Sequence, residues 1–256
     1  MAKKTYKTGL VLSGGGTRGF AHLGVIKALE EKGLRPDIIS GVSAGSIAGA
    51  LYADGNDPEE IYKQLASHRL LDYLDITIPQ KGMVGMSGFE KTLINLLSAK
   101  TFEELGIPLI VFAVNMNTAE YTRFDKGDLI SAIKASSSIP VVFPPVKIDD
   151  YYYLDGGIIN NFPIESLIDC CETIIGVNVN PIGKVSRLGN LKQIAERTFH
   201  ITLRYQASNK EDMCDIYIEP AKLDQYGLLD VSKAKDIFQI GYDEAIKVLE
   251  KGKINS

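Results

Sequence analysis

The sequence predicts an α/β domain built on a mostly parallel sheet, and three observations carry that expectation. Short apolar runs alternate with helical stretches along the chain. One run, Pro108–Asn115 (PLIVFAVN), is apolar without interruption, as a strand covered by helices on both faces must be. Glycines cluster at two corners where a run ends and a helical stretch begins, in GGGTRG (14–19) and GVSAGS (41–46).

Each element has a local reason. Thr8–Ser13 (TGLVLS) reads as a buried strand and leads into the glycine loop Gly14–Gly19. Phe20–Lys32 places Leu23, Ile26, Ala28 and Leu29 at helical spacing, and Gly33 is a C-terminal stop. Asp37–Ser40 is a second short strand, and Ala44–Ala53 a helix of small residues that opens after Ser43. Asp57-Pro58-Glu59-Glu60 starts another helix, with proline at its first position. Phe89–Leu97 and Leu129–Ser136 read as helices, Tyr121–Phe124 and Tyr151–Leu154 as strands, and Thr173–Asn180 as a further buried strand. Leu188–Gln206 reads as a long helix, Cys214–Glu219 as a last strand and Val231–Leu249 as an amphipathic terminal helix. No internal repeat, low-complexity segment or linker interrupts the pattern.

Composition bounds the function. The 256 residues suit one large domain; 45% are hydrophobic and 23% charged, so a sizeable core is available. The net charge of −4 is scattered in both signs, and no basic block suggests nucleic acid or an anionic lipid surface. The apolar run near the N-terminus, Gly9–Leu12, is too short for a signal-peptide core, and no stretch is long enough to span a membrane. Cys170, Cys171 and Cys214 form no C-x-x-C pattern, which argues against a zinc site or a disulfide framework and for a reducing compartment.

Three small motifs carry chemistry. In GVSAGS, Gly41 and Gly45 flank Ser43 in the G-x-S-x-G spacing of a nucleophile elbow, a strand-to-helix turn that holds a serine strained and exposed. GGGTRG satisfies G-x-G-x-x-G, but a dinucleotide site needs an acid at the end of the second strand, where this chain has the serine turn. No Gly-Lys-Ser/Thr follows, so the phosphate-loop pattern fails too. What remains is a run of N–H groups at a helix start, suited to negative charge or to an oxyanion. The third motif is Asp155-Gly156-Gly157, a carboxylate pinned by two glycines at a strand end.

A serine nucleophile needs a base. His22 lies inside the first helix, three residues after Gly19, where packing is expected; His68 lies in the polar stretch LASHRL. His200 would complete a Ser–Asp–His order, but QIAERTFHITLRYQ reads as a helix, whereas such a histidine belongs on a late loop. The residues thus favour a Ser43–Asp155 dyad and leave a histidine-assisted triad open. An ordinary aspartate, with a pKa of about 4, is a weak base; burial raises it.

In this order GGGTRG, GVSAGS and DGG resemble the patatin-like phospholipases, most closely the bacterial members related to neuropathy target esterase. AHLGVIKALEE, KASSSIPVVFPPV and DGGIINNFPI are similar as well, over about residues 8–180. The resemblance implies a three-layer α/β/α sandwich and a single acyl hydrolase domain over 1–256. It implies cleavage of fatty-acyl esters of phospholipids or lysophospholipids through an acyl-enzyme, with no metal and no cofactor. Carried over, Ser43 is the nucleophile and Asp155 the base. The N–H groups of Gly15 and Gly16, with Gly14 and Thr17 beside them, form the oxyanion hole, and Arg18, Gly19, Gly41, Gly45, Gly156 and Gly157 complete the motifs. Plant members carry an aspartate before the three glycines; this chain has Ser13.

The expected partner is a lipid or other acyl ester, with transient contact at a membrane surface and no nucleic acid, for a chain that is cytoplasmic or peripheral at the membrane. Two competing functions are a nucleotide-binding regulator using Gly14–Gly19 and a non-catalytic lipid-binding module. The stretch 68–89, HRLLDYLDITIPQKGMVGMSGF, has poor periodicity and reads either as a packed loop or as a mobile cover over an acyl-chain site.

Overall fold

The computed structural model describes residues 5–67, 86–140, 142–184, 189, 191–227 and 231–252; His68 and most of the stretch 68–89 lie outside them. Strands β1 (Tyr6–Leu12), β2 (Ile38–Val42), β3 (Leu109–Asn115), β4 (Glu120–Phe124), β5 (Val146–Ile148), β6 (Tyr151–Asp155), β7 (Cys171–Val177) and β8 (Ile216–Ile218) form one sheet. Five of them, in the order β3-β2-β1-β7-β8, run parallel. β4, β5 and β6 join antiparallel beyond β3. The chain leaves β1 toward β2 on one side, and β7 lies on its other side, so β1 is a topological switch point. Ligands of open α/β sheets bind at the C-terminal strand ends there.

The register around β3 places the site. A strand has two edges. β4 occupies one edge of β3 from Val111 to Asn115. The other edge is shared: β2 pairs with Leu109–Phe112, and β6 pairs with Ala113–Asn115 from the opposite direction. Val42, the last residue of β2, faces Phe112, and Asp155, the last of β6, faces Ala113. Two strand ends therefore meet head-on at one point of a third strand.

The helices are α1 (Phe20–Glu31), α2 (Ala44–Ala53), α3 (Pro58–Ser67), α4 (Ser87–Leu96), α5 (Leu129–Ser136), α6 (Leu191–Ala207) and α7 (Ala234–Gly252). Alternation along the strands sends Leu10, Leu12, Ile39, Leu109, Val111, Ile175 and Val177 to the face covered by α1, α2, α5 and α7. Val11, Ile38, Val42, Ile110, Phe112 and Ile174 go to the opposite face, where Phe162, Ile164 and Leu167, in a stretch of 3₁₀ turns, and Ala207 at the end of α6 cover them. Fully burying one such side chain contributes roughly 2 kcal/mol. The helix start read at Pro58 is capped by Asp57, whose Oδ1 accepts from the Glu59 and Glu60 N–H groups at 2.9 and 3.1 Å. The sequence reading missed β5, a three-residue strand next to a proline pair and too short for its alternation to register.

α1 and α7 approach backbone to backbone, with Gly24 against the Phe238 carbonyl and Gly241 against the Ala21 carbonyl. Gly24→Ala brings about 1 kcal/mol of helix propensity. Its Cβ, however, would lie 3.0 Å from the Phe238 carbonyl carbon and 2.8 Å from the Tyr242 nitrogen, and backbone cannot step aside. Overpacking of about 1–3 kcal/mol then wins. The variant should unfold at lower urea with an unchanged slope; an unchanged midpoint would show that the two helices separate freely.

Candidate active site

Ser43 sits between β2 and α2 with φ 52° and ψ −122°, a backbone region that a non-glycine residue occupies at a cost of about 1–3 kcal/mol. Several contacts hold it there. Its N–H donates to Ser136 Oγ at 2.8 Å, and its carbonyl accepts from the Ser46 N–H at 2.9 Å and the Ser46 hydroxyl at 2.7 Å. Glycine is required at both outer positions by close approach. A Cβ on Gly45 would run into the Leu12 carbonyl of β1, and one on Gly41 would lie 2.7 Å from the Gly45 carbonyl oxygen. The elbow can be this tight only because strand and helix touch through bare backbone.

Asp155 ends β6 and is 2% exposed. Its Oδ1 accepts from the Gly157 N–H at 2.8 Å. Burial raises its pKa to about 6, while the facing Ser43 hydroxyl and the Gly157 N–H pull it back down. Gly156 lies against the Phe112 carbonyl of β3, so the chain can turn away from the strand at once.

The glycine loop follows β1. Among the described residues the N–H groups of Gly15 and Gly16 have no acceptor within the chain, and Gly16 takes a left-handed φ of 56°. Gly14 differs: its N–H donates to the Asn161 carbonyl at 3.3 Å, and its own carbonyl accepts from Asn180 Nδ2 at 2.6 Å and Asn161 Nδ2 at 3.3 Å. Thr17 donates through Oγ1 to the Gly227 carbonyl at 3.0 Å. Arg18 is buried, with Nε and Nη2 donating to the Tyr226 carbonyl at 2.9 and 2.7 Å and Nη1 to that of Pro181 at 3.3 Å. Gly19 faces Ala44 at the start of α2.

Two cavities meet at Ser43. One, of about 170 Å³, has apolar walls that include Phe20, Leu23, Ile47, Ala48, Phe89 and Phe143. The other, of about 10 Å³, is lined by Gly15, Gly16, Ser43, Ile139, Asp155, Asn161 and Leu203. The sequence-predicted serine, aspartate and two of the glycines are thus brought to one small space. Gly14 and Thr17 support that loop, and Thr17 also lines the larger cavity. Ser136, Asn161 and Asn180 brace the site; KASSS and DGGIINNF contain two of them, but nothing in their spacing marks such roles.

Of the described histidines, neither His22 nor His200 lines the two cavities. His22 is buried, and its Nε2 donates to the Ser13 carbonyl at 2.8 Å; burial lowers its pKa to about 4, so it stays neutral and structural. His200 is on α6, as its sequence reads. Its pKa is lowered to about 4 by burial and then by the charges of Arg18 and Arg197. Among the described residues, no group of three or more His, Cys, Asp or Glu could hold a metal ion, and no helix is long and apolar enough to cross a membrane.

The chain is similar to known proteins in sequence and in fold. The chain is 29% identical to lysophospholipase NTE1 of Kluyveromyces lactis over 91% of its length and 18% of the relative's. It is 28% identical to patatin-like phospholipase domain-containing protein 7 of Rattus norvegicus over 91% and 20%. It therefore spans about a fifth of the length of these curated relatives. In fold it is similar to VipD from Legionella pneumophila, with a TM-score of 0.57 at 16% identity over 98% of this chain and 68% of that one. The type III effector protein ExoU gives 0.51 at 14% identity, over 97% and 53%. The patatin-like phospholipase signature matches residues 10–168, from β1 through the glycine loop, the serine elbow and Asp155, and the chain belongs to the patatin-like phospholipase family.

Proposed function

We propose that residues 1–256 act as one serine acyl hydrolase domain that cleaves fatty-acyl esters of phospholipids or lysophospholipids. The observation that carries the reading is the strained Ser43 hydroxyl facing a buried Asp155 whose pKa is raised to about 6, beside the open N–H groups of Gly15 and Gly16. Asp155 accepts the Ser43 proton as Oγ attacks the ester carbonyl. The Gly15 and Gly16 N–H groups stabilise the oxyanion, each by roughly 3 kcal/mol. Gly14 has its N–H engaged and serves by holding the loop. The tetrahedral species collapses, the leaving alcohol takes the proton from Asp155, and an acyl-enzyme remains on Ser43 for water to hydrolyse. The apolar cavity of about 170 Å³ takes the acyl chain. We further place the chain in the cytoplasm, where Cys170, Cys171 and Cys214 remain free thiols, in transient contact with lipid surfaces.

Ser43→Ala should abolish hydrolysis of a nitrophenyl ester and labelling by a fluorophosphonate probe, with Ser40→Ala as a control that keeps both. Labelling of the Ser43 variant in intact-protein mass spectrometry would defeat the reading.

The base must be ionised, so kcat/KM should fall as pH drops through about 6, the pKa of Asp155 in the folded chain. His22→Ala and His200→Ala should leave that acid limb in place. Loss of the limb in the His200 variant, at retained stability, would favour a triad.

Stability follows the opposite sign. The folded pKa lies above the ordinary value of 3.8, so the native state holds the proton longer than the unfolded one. Stability from this group is present at low pH and is lost as pH rises through about 6. Asp155→Asn should therefore lose turnover by orders of magnitude while gaining about 3 kcal/mol of stability at pH 7, read by urea denaturation. An inactive variant that is also less stable would show that the carboxylate holds the fold together.

A further inference from the structure

Asn161 is fully buried and is held by three hydrogen bonds, two through its backbone and one through its side-chain amide. Its N–H donates to Gln206 Oε1 at 2.9 Å, its Nδ2 to the Gly14 carbonyl, and its carbonyl accepts from the Gly14 N–H. A carbonyl can only accept, so Nδ2 is the amide atom on the Gly14 carbonyl, and Oδ1 lies against the bare sides of Gly14 and Gly157. Among the described residues that Oδ1 has no donor, although it is buried.

Its surroundings show what donor would suit it. The point where a side chain on Gly157 would begin lies 2.9 Å from Asn161 Oδ1, 3.0 Å from Leu203 Cδ2 and 3.1 Å from Asp155 Oδ1. Two acceptor oxygens thus face one gap, within about 6 Å of each other, and the bare Gly157 keeps it clear. Asn161, Leu203 and Asp155 are also walls of the cavity of about 10 Å³ beside Ser43, close to the smallest volume that admits one water. Two acceptors across such a gap repel unless a molecule with two hydrogens bridges them.

We propose that Asn161 Oδ1 and Asp155 Oδ1 hold the water that hydrolyses the acyl-enzyme, with Gly157 as the residue whose missing side chain makes room for it. The inference rests on the acyl-enzyme reading above. One water hydrogen is held by Asn161 and the other is aimed at Asp155. Asp155 takes that proton as the water oxygen attacks the acyl carbonyl, whose oxygen lies at Gly15 and Gly16. The carbonyl carbon to Oγ bond then breaks, Oγ receives the proton from Asp155, and a free fatty acid leaves. Asn161 never changes protonation; it selects which face of the water meets the ester. Acylation needs no water, so Asn161 Oδ1 acts in the second step alone, while Nδ2 braces the Gly14 carbonyl in both.

The test separates the two steps. With enzyme in excess over a nitrophenyl ester, nitrophenolate release reports acylation, and the acyl adduct on Ser43 is followed to its disappearance by intact-protein mass spectrometry. In Asn161→Ala, adduct loss should slow about tenfold or more beyond whatever slowing of acylation the lost Nδ2 contact to the Gly14 carbonyl brings, tenfold being the worth of one hydrogen bond to a reacting group. Gly157→Ala approaches the same gap from its other side and keeps the Asn161 side chain, so it carries the test if Asn161→Ala fails to fold. Hydroxylamine, which needs no bridging water, should speed adduct loss more in the variants than in the wild type. Equal slowing of both steps would make Asn161 a brace of the oxyanion loop, and unchanged adduct loss in Gly157→Ala would empty the gap of any role; either overturns the inference while the acyl-enzyme stands. Absence of any adduct on wild-type Ser43 would instead overturn the acyl-enzyme reading itself, and this inference with it.

Discussion

The meeting of β2 and β6 on one edge of β3 is the constraint from which the site follows. A parallel strand arriving from below and an antiparallel strand arriving from above cannot both continue past Phe112 and Ala113. Each must leave the sheet there. β2 leaves through Ser43 into α2, and β6 leaves through Asp155 into a 3₁₀ turn. The serine and the carboxylate are held opposite each other by two hydrogen-bond ladders, each rigid along its own strand, rather than by a loop. β1, beside β2 in parallel register, ends at the same level and delivers the glycine loop to the third side.

That geometry stores free energy in two places. Ser43 occupies a strained backbone region, and Asp155 sits where its charged form is disfavoured. Together these oppose folding by several kcal/mol, a large share of the ordinary margin of 5–15 kcal/mol. The surrounding contacts over-determine the arrangement. Ser136 reaches from the end of α5 to hold the Ser43 N–H, Gly45 lets α2 rest on the β1 backbone, and Asn161 and Asn180 clamp the Gly14 carbonyl from two sides. The cores on both faces of the sheet supply the remainder.

Much of this was legible in the sequence, and for physical reasons. Glycines mark close backbone approach, so Gly14–Gly19, Gly41, Gly45, Gly156 and Gly157 announced where chain segments touch. Continuous apolar runs announced the central strands, and Asp57-Pro58 announced α3. What a sequence does not display depends on contacts between distant segments. Nothing local in Ser136 says that its hydroxyl meets Ser43, 93 residues away. Nothing in Asn161 says which of its amide atoms turns toward Gly14, 147 residues back. Short β5 has too few residues to show a period, and the head-on register of β2 and β6 is a property of the sheet, with no counterpart in either strand's sequence.

The proposed role of Asp155 as the base rests on what surrounds it. A carboxylate takes a proton well only if its charged form is poorly stabilised, so each added donor weakens it as a base. Asp155 receives the Gly157 N–H, which orients it, and faces the Ser43 hydroxyl, its partner in the proposed reaction. The next nearest polar group could have been the Asn161 amide nitrogen. A donor there would lower the pKa further and turn Asp155 toward a spectator ion. The Gly14 carbonyl prevents this by claiming Nδ2, which leaves an oxygen on the side of the aspartate. The loop proposed to present N–H groups to the oxyanion thereby keeps a donor away from the proposed base, and the buried aspartate reaches about 6, while burial lowers His22 and His200 to about 4.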